Sequence, residues 1–130
     1  MLLHSFFKIV ETSREDDKTV VIVQLEKQHS IYEGHFPGNP VAPGVCLIQM
    51  IREVIEVLKD QKLMLAEADE IKFLNIVNPL MVDVLRIEIK NRPKSENPLA
   101  FNIVINDGQT TYLKMRAGFT GSCAEKQAST

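Results

Sequence analysis

Short apolar-rich runs of strand character fill most of the chain, interrupted by one stretch of helical period. HSFFKIVET near the start and TVVIVQLE after it read as two strands, the second dense in β-branched residues, with the charged turn SREDDK between them. From Gly44 to Lys59 the period becomes helical: Leu47, Ile48, Ile51, Val54, Ile55 and Leu58 fall on one stripe. Strand character then returns. EADEIKFLNIV and PLMVDVLRIEIKN read as the third and fourth strands. In the latter, Leu85, Ile87 and Ile89 alternate with Arg86, Glu88 and Lys90, which buries one face and wets the other. LAFNIVIN and QTTYLKMRAGF form a hairpin across Asp107-Gly108, a type I′ turn signal. TGSCAEKQAST carries no core pattern and reads as a frayed tail.

Two strands, one long helix and about four further strands leave one obvious way to bury the helical stripe. An antiparallel sheet must wrap around it. The expected class is α+β, a curved sheet on one central helix, built as a single domain over residues 1–120 with a flexible tail at 121–130.

Composition narrows the function classes. With 45% hydrophobic and 25% charged residues, the 130-residue chain has the make-up of a soluble globular protein. A net charge of −2 gives no basic footprint for nucleic acid. No stretch approaches the roughly 18 apolar residues of a membrane span. MLLHSFFKIVETSREDD lacks the basic leader and cleavage site of a signal peptide, so the expected location is cytoplasmic. Cys46 lies in the helix and Cys123 in the polar tail; they read as two free thiols, with neither a disulfide framework nor a metal site implied.

The candidate chemistry sits in EGHFPGNPVAPGVCLIQM, residues 33–50. Pro37, Pro40 and Pro43 each fix φ and restrict the residue before them, while Gly34, Gly38 and Gly44 permit close backbone approaches. Such a loop has few alternative shapes. It leads into a helix that starts at Pro43-Gly44 with no Ser, Thr, Asp or Asn cap, so the first-turn N–H groups need other acceptors; a ligand oxygen is one, favoured by the helix dipole. His35 stands nine residues before Gly44 on this stiff loop, and imidazole is the side chain best suited to proton transfer near neutral pH.

GHFPGNPVAPGV, from Gly34 to Val45, closely resembles the signature of the 3-hydroxyacyl-[acyl-carrier-protein] dehydratases, Gly-His-Phe-Pro-Gly-x-Pro-x-x-Pro-Gly-Val, at every fixed position. KFLNIVNP, from Lys72 to Pro79, is similar to a further family segment more loosely. The resemblance implies a hot dog fold, usually dimeric, acting on an acyl thioester carried by acyl carrier protein phosphopantetheine or coenzyme A, with no cofactor. It implies His35 as the base that removes the α-proton, the Gly44 N–H as donor to the thioester carbonyl, and the Val41 carbonyl as the group that orients the imidazole. Val45 and Phe36 are the remaining substrate-side candidates, Phe36 packing in the core or at the dimer seam. The family's helix carboxylate lies five residues after the Pro-Gly glycine. Here that position is Gln49, and Glu53 follows four residues later on the same helix face.

Three readings follow. Glu53 supplies the carboxylate from one turn farther along; or His35 makes both proton transfers while Gln49 positions the hydroxyl; or the site binds an acyl thioester without dehydrating it. The plain structural alternative for Glu53 is a solvated helix face shared with Arg52 and Glu56. His4 and His29 have no motif around them and read as surface or loop residues. Lys72, Arg86, Lys90, Arg92 and Lys94 either form a basic rim for an acidic carrier protein or belong to solvated strand faces of alternating charge. The favoured activity is dehydration to a trans-2-enoyl thioester in fatty-acid or related lipid or polyene synthesis. The alternatives are a hot dog thioesterase and a non-catalytic acyl-binding partner subunit, and the expected assembly is a homodimer or a dimer-based higher oligomer.

Overall fold

A computed structural model describes residues 1–33 and 40–121. The elements run β1 (Phe7–Glu15), β2 (Lys18–Leu25), a 3₁₀ turn (Ser30–Tyr32), α1 (Gly44–Lys59), β3 (Leu63–Phe73), β4 (Val84–Asn91), β5 (Ala100–Asn106) and β6 (Thr111–Gly121). The six strands form one antiparallel sheet in the order β1-β2-β4-β5-β6-β3.

Register explains why the strands share a dry face. Val21 pairs with Ile87, Ile87 with Ile105 and Ile105 with Leu113, so one apolar row crosses four strands. Ile89, Ile103, Met115 and Ile71 form a second. Both rows pack with Leu47, Met50, Ile51, Val54 and Ile55 of α1 in one core. The helix spans the residues its periodicity predicts. It ends where Asp60 adopts a left-handed conformation (φ 52°) and its N–H donates to the Glu56 carbonyl.

The strand boundaries shift from those expected, for local reasons. β1 starts three residues later than HSFFKIVET because the Leu2 carbonyl accepts the N–H groups of Ser5, Phe6 and Phe7, which closes a turn before the strand. β3 begins at Leu63 rather than Glu67, since Leu63–Leu65 pair with Gly121–Phe119. It stops at Phe73, where the Leu74 and Asn75 N–H groups turn to the Tyr112 carbonyl. β4 starts at Val84, not Pro79: Asn78 accepts the Met81 and Val82 N–H groups through its carbonyl and the Leu80 N–H through Oδ1. The hairpin after β5 is not a type I′ turn. Only Gly108 has positive φ there (95°), whereas type I′ needs it at both central residues. Asp107 Oδ1 instead accepts the Gln109 and Thr110 N–H groups at 2.9 and 2.7 Å. β6 extends through Gly121, one residue past the expected domain end; residues 122–130, including Cys123, lie outside the described residues.

Candidate functional site at the start of the central helix

The helix start is held from outside the helix. The Ala42 N–H donates to the Val77 carbonyl at 2.8 Å, tying the approach segment to the loop after β3. Pro43 is the N-cap, extended at φ −62° and ψ 142°, and makes no side-chain capping bond. Its carbonyl accepts the Cys46 and Leu47 N–H groups. Among the described residues the Gly44 and Val45 N–H groups have no hydrogen-bond partner. Two amides at the positive end of a helix of 16 residues are therefore available to an oxygen.

Gly44 allows a close contact. A Cβ there would lie 2.8 and 2.9 Å from ring carbons of Phe73. The Phe73 ring thus forms a wall against the helix start while remaining half exposed. KFLNIVNP was singled out for its likeness, but no periodicity in it points to a ring on Gly44; this is a contact of tertiary structure.

The flank of α1 that carries Gln49 and Glu53 is covered. Glu53 is 1% exposed and Glu56 9%, which overturns the solvated-face reading of these two carboxylates. Glu53 accepts the Leu2 N–H (2.9 and 3.0 Å to its two oxygens), the Leu3 N–H (2.8 Å) and the Gln49 amide Nε2 (2.9 Å). Burial pushes its pKa up, but these donors outweigh burial and hold the carboxyl below the usual range. It is an ionised acceptor near neutral pH, not a stored proton. Glu56 accepts the Leu63 N–H at 2.8 Å and pairs with Arg52 at 3.2 Å, and Arg52 also donates to the Leu63 carbonyl.

His35 and Phe36 lie outside the described residues, so the expected base and its neighbour carry no geometry. Val41 is half-buried and Val45 is 75% exposed. Glu33 and Pro40, which flank residues 34–39, border an open concavity of about 690 Å³ also lined by Tyr32, His29 and Leu80. Tyr32 was not flagged by the sequence. It is buried, its hydroxyl has no partner among the described residues, and burial, with Cys46 adding to it, pushes its pKa up to about 12. Burial likewise raises the Cys46 thiol, which disfavours the reactive thiolate. His29 caps the 3₁₀ turn, accepting the Ile31 N–H on Nδ1. Among the described residues no group of His, Cys, Asp and Glu could hold a metal ion.

Four of the five candidate rim residues fit the alternating-charge reading. Lys72 pairs with Glu70, Arg86 with Glu15 and Glu88, Lys90 with Asp17, and Arg92 with Asp69.

Comparison with known proteins agrees with this architecture. A sequence model of the ApeI-like family, described as ApeI dehydratase, matches residues 11–115. A 3-hydroxyacyl-[acyl-carrier-protein] dehydratase, FabZ, from Lactiplantibacillus plantarum is 29% identical over 126 residues, covering 90% of this chain and 86% of that one. The dehydratase heterocomplex ApeI:P from Xenorhabdus doucetiae superposes with a TM-score of 0.68 at 17% identity, over 85% of this chain and 95% of that one. The E. coli PaaI protein of the phenylacetic acid degradation operon superposes with a TM-score of 0.60, again at 17% identity, over 89% and 79%. The structural likenesses establish the hot dog fold, and the family match, spanning most of the chain, goes further: this chain belongs to the ApeI-like dehydratase family.

Proposed function

We propose that the protein dehydrates a 3-hydroxyacyl thioester, carried on acyl carrier protein or coenzyme A, to a trans-2-enoyl thioester. The observation that carries this reading is the helix start, where two amides have no partner among the described residues, in a chain of a dehydratase family whose sequence places His35 nine residues earlier. The Gly44 N–H would receive the thioester carbonyl oxygen. Negative charge gathers on that oxygen as the α-proton leaves, so a fixed donor lowers the barrier more than it tightens ground-state binding. His35 takes the α-proton. The resulting electron pair forms the Cα–Cβ double bond as the β C–O bond breaks. The imidazolium returns its proton to the departing oxygen, releasing water. Gln49 fits this scheme as the acceptor that aligns the β-hydroxyl, since an amide orients a hydroxyl without protonating it.

The assembly we infer is a dimer through β3. This strand is the open sheet edge beside β6, and Met64, Leu65 and Phe73 on it are exposed.

Purified protein is offered 3-hydroxyacyl thioesters of several chain lengths on both carriers, and enoyl formation and its reversal are followed. Activity that falls about 10²- to 10⁴-fold in His35→Ala is the expected result. Absence of turnover in both directions overturns the proposal; release of free thiol from acyl thioesters would replace it with a thioesterase. A second reading rests on Gln49. A chain without the helix carboxylate could serve as a partner subunit, and the structural relative in the ApeI:P heterocomplex gives that reading a precedent of assembly. Full activity of the isolated protein counts against it.

A further inference from the structure

We propose that Glu53 is a positioning residue that holds the Gln49 side-chain amide in one orientation, nitrogen bound to the carboxylate and oxygen left as the group offered to a substrate hydroxyl. This rests on the dehydratase reading for its chemical meaning, but its geometry stands alone. An ionised carboxylate only accepts hydrogen bonds. Turning the Gln49 amide over would set Oε1 against Glu53 Oε2, acceptor against acceptor, in a place where Glu53 is 1% exposed. The carboxylate cannot swing away to relieve that clash, because the Leu2 and Leu3 N–H groups grip it from the N-terminal segment. Residues 49 and 53 are i and i+4 on a helix, so their separation is fixed by the backbone.

The two backbone N–H donors that fix Glu53, from Leu2 and Leu3, therefore decide which atom of Gln49 is free. At the position where the family resemblance expects a carboxylate, this chain keeps an oxygen acceptor and gives up the acidic proton. A substrate β-hydroxyl that donates to Gln49 Oε1 leaves its lone pairs for another proton source. In the proposed reaction that source is the His35 imidazolium, carrying the proton it has just taken from the α-carbon. Glu53 touches neither substrate nor reacting atoms; it acts through Gln49.

Two measurements test this. In the wild-type protein the Gln49 side-chain amide protons are assigned by NMR and their exchange with solvent is compared with that of exposed Gln28, Gln61 and Gln109. Protected, shifted Gln49 protons that lose both properties in Glu53→Gln are expected. Gln49 signals matching the exposed glutamines overturn the proposal whether or not the protein is an enzyme. In the dehydration assay, Glu53→Gln replaces a pure acceptor with a group that also donates, so the Gln49 amide loses its single orientation. We expect kcat to fall about ten- to a hundredfold with KM within about twofold. The double variant Gln49→Glu, Glu53→Gln should recover kcat, because the new amide can donate to the new carboxylate. Equal loss in the single and double variants would mean that Glu53 only holds the fold, and would overturn the proposal. A wild type without turnover but with a protected Gln49 amide overturns the dehydratase reading and leaves the positioning intact.

Discussion

At the scale of single residues, physical contact separates groups that look alike in sequence. Gly44 reads in sequence as loop punctuation, yet a methyl group there would meet the Phe73 ring. That ring is the half-exposed end of a mobile side chain, so it can yield. We expect Gly44→Ala to cost about 1 kcal/mol or less of stability in denaturant unfolding, since alanine suits a helix start. The same variant should displace Phe73 and lower turnover more than it lowers stability. Glu53 is the opposite case. Its folded pKa lies below the usual value of 4.5, so the native state binds fewer protons than the unfolded chain around that pH. Its contribution is complete above about pH 4.5 and is lost as pH falls through the lower, folded value. Wild-type stability should therefore drop below pH 4.5 more steeply than that of Glu53→Gln, as followed by urea midpoints across pH. Glu53→Ala, which strands the Leu2, Leu3 and Gln49 donors, should cost about 2 to 3 kcal/mol.

At the scale of elements, α1 is more than the amphipathic helix its stripe describes. Its apolar face fills the sheet, and its polar flank fastens two backbone segments, the N-terminal turn and the first residue of β3. Glu53 takes the N-terminal turn, while Glu56 with Arg52 takes the entry to β3. Glu56→Ala should leave the Leu63 N–H without its acceptor and destabilise the start of β3 by about 1 to 3 kcal/mol. Amide exchange at Leu63 should then quicken well beyond that in β5, which is paired on both sides. The helix bounds and the alternation of β4 were legible in sequence because period alone carries them: an apolar residue every second or every third-to-fourth place specifies the element whatever surrounds it. β3 was misjudged by four residues. As an edge strand it buries Leu63 and little else, so its pattern gives no phase to read. The hairpin turn was misassigned because Asp-Gly is common to several turns, and the side-chain bonds of Asp107 selected another one.

For the whole molecule, an open β3 edge beside exposed Met64 and Leu65 predicts self-association. Sedimentation should give a dimer or a multiple of it, and Leu65→Lys should shift the equilibrium toward the 14.7 kDa chain. A second global readout is the pair of tyrosines, the only two in the chain. Burial, reinforced at Tyr112 by its bond to Asp107, raises both to about 12. A raised tyrosine pKa favours the protonated native state, so this stability is whole below pH 10 and fades between 10 and 12. Tyrosine absorbance should show no ionisation near pH 10 unless the protein unfolds there. The class of fold could be reasoned out from the chain alone, because it depends on local order: apolar periodicity and the turn signals between the runs. The fate of Glu53 could not. Whether a helix carboxylate meets water, a substrate or a backbone fifty residues away depends on which segment the folded chain lays over it. Here the N-terminal turn lies there, and that long-range contact made a candidate acid into an ionised anchor for Gln49.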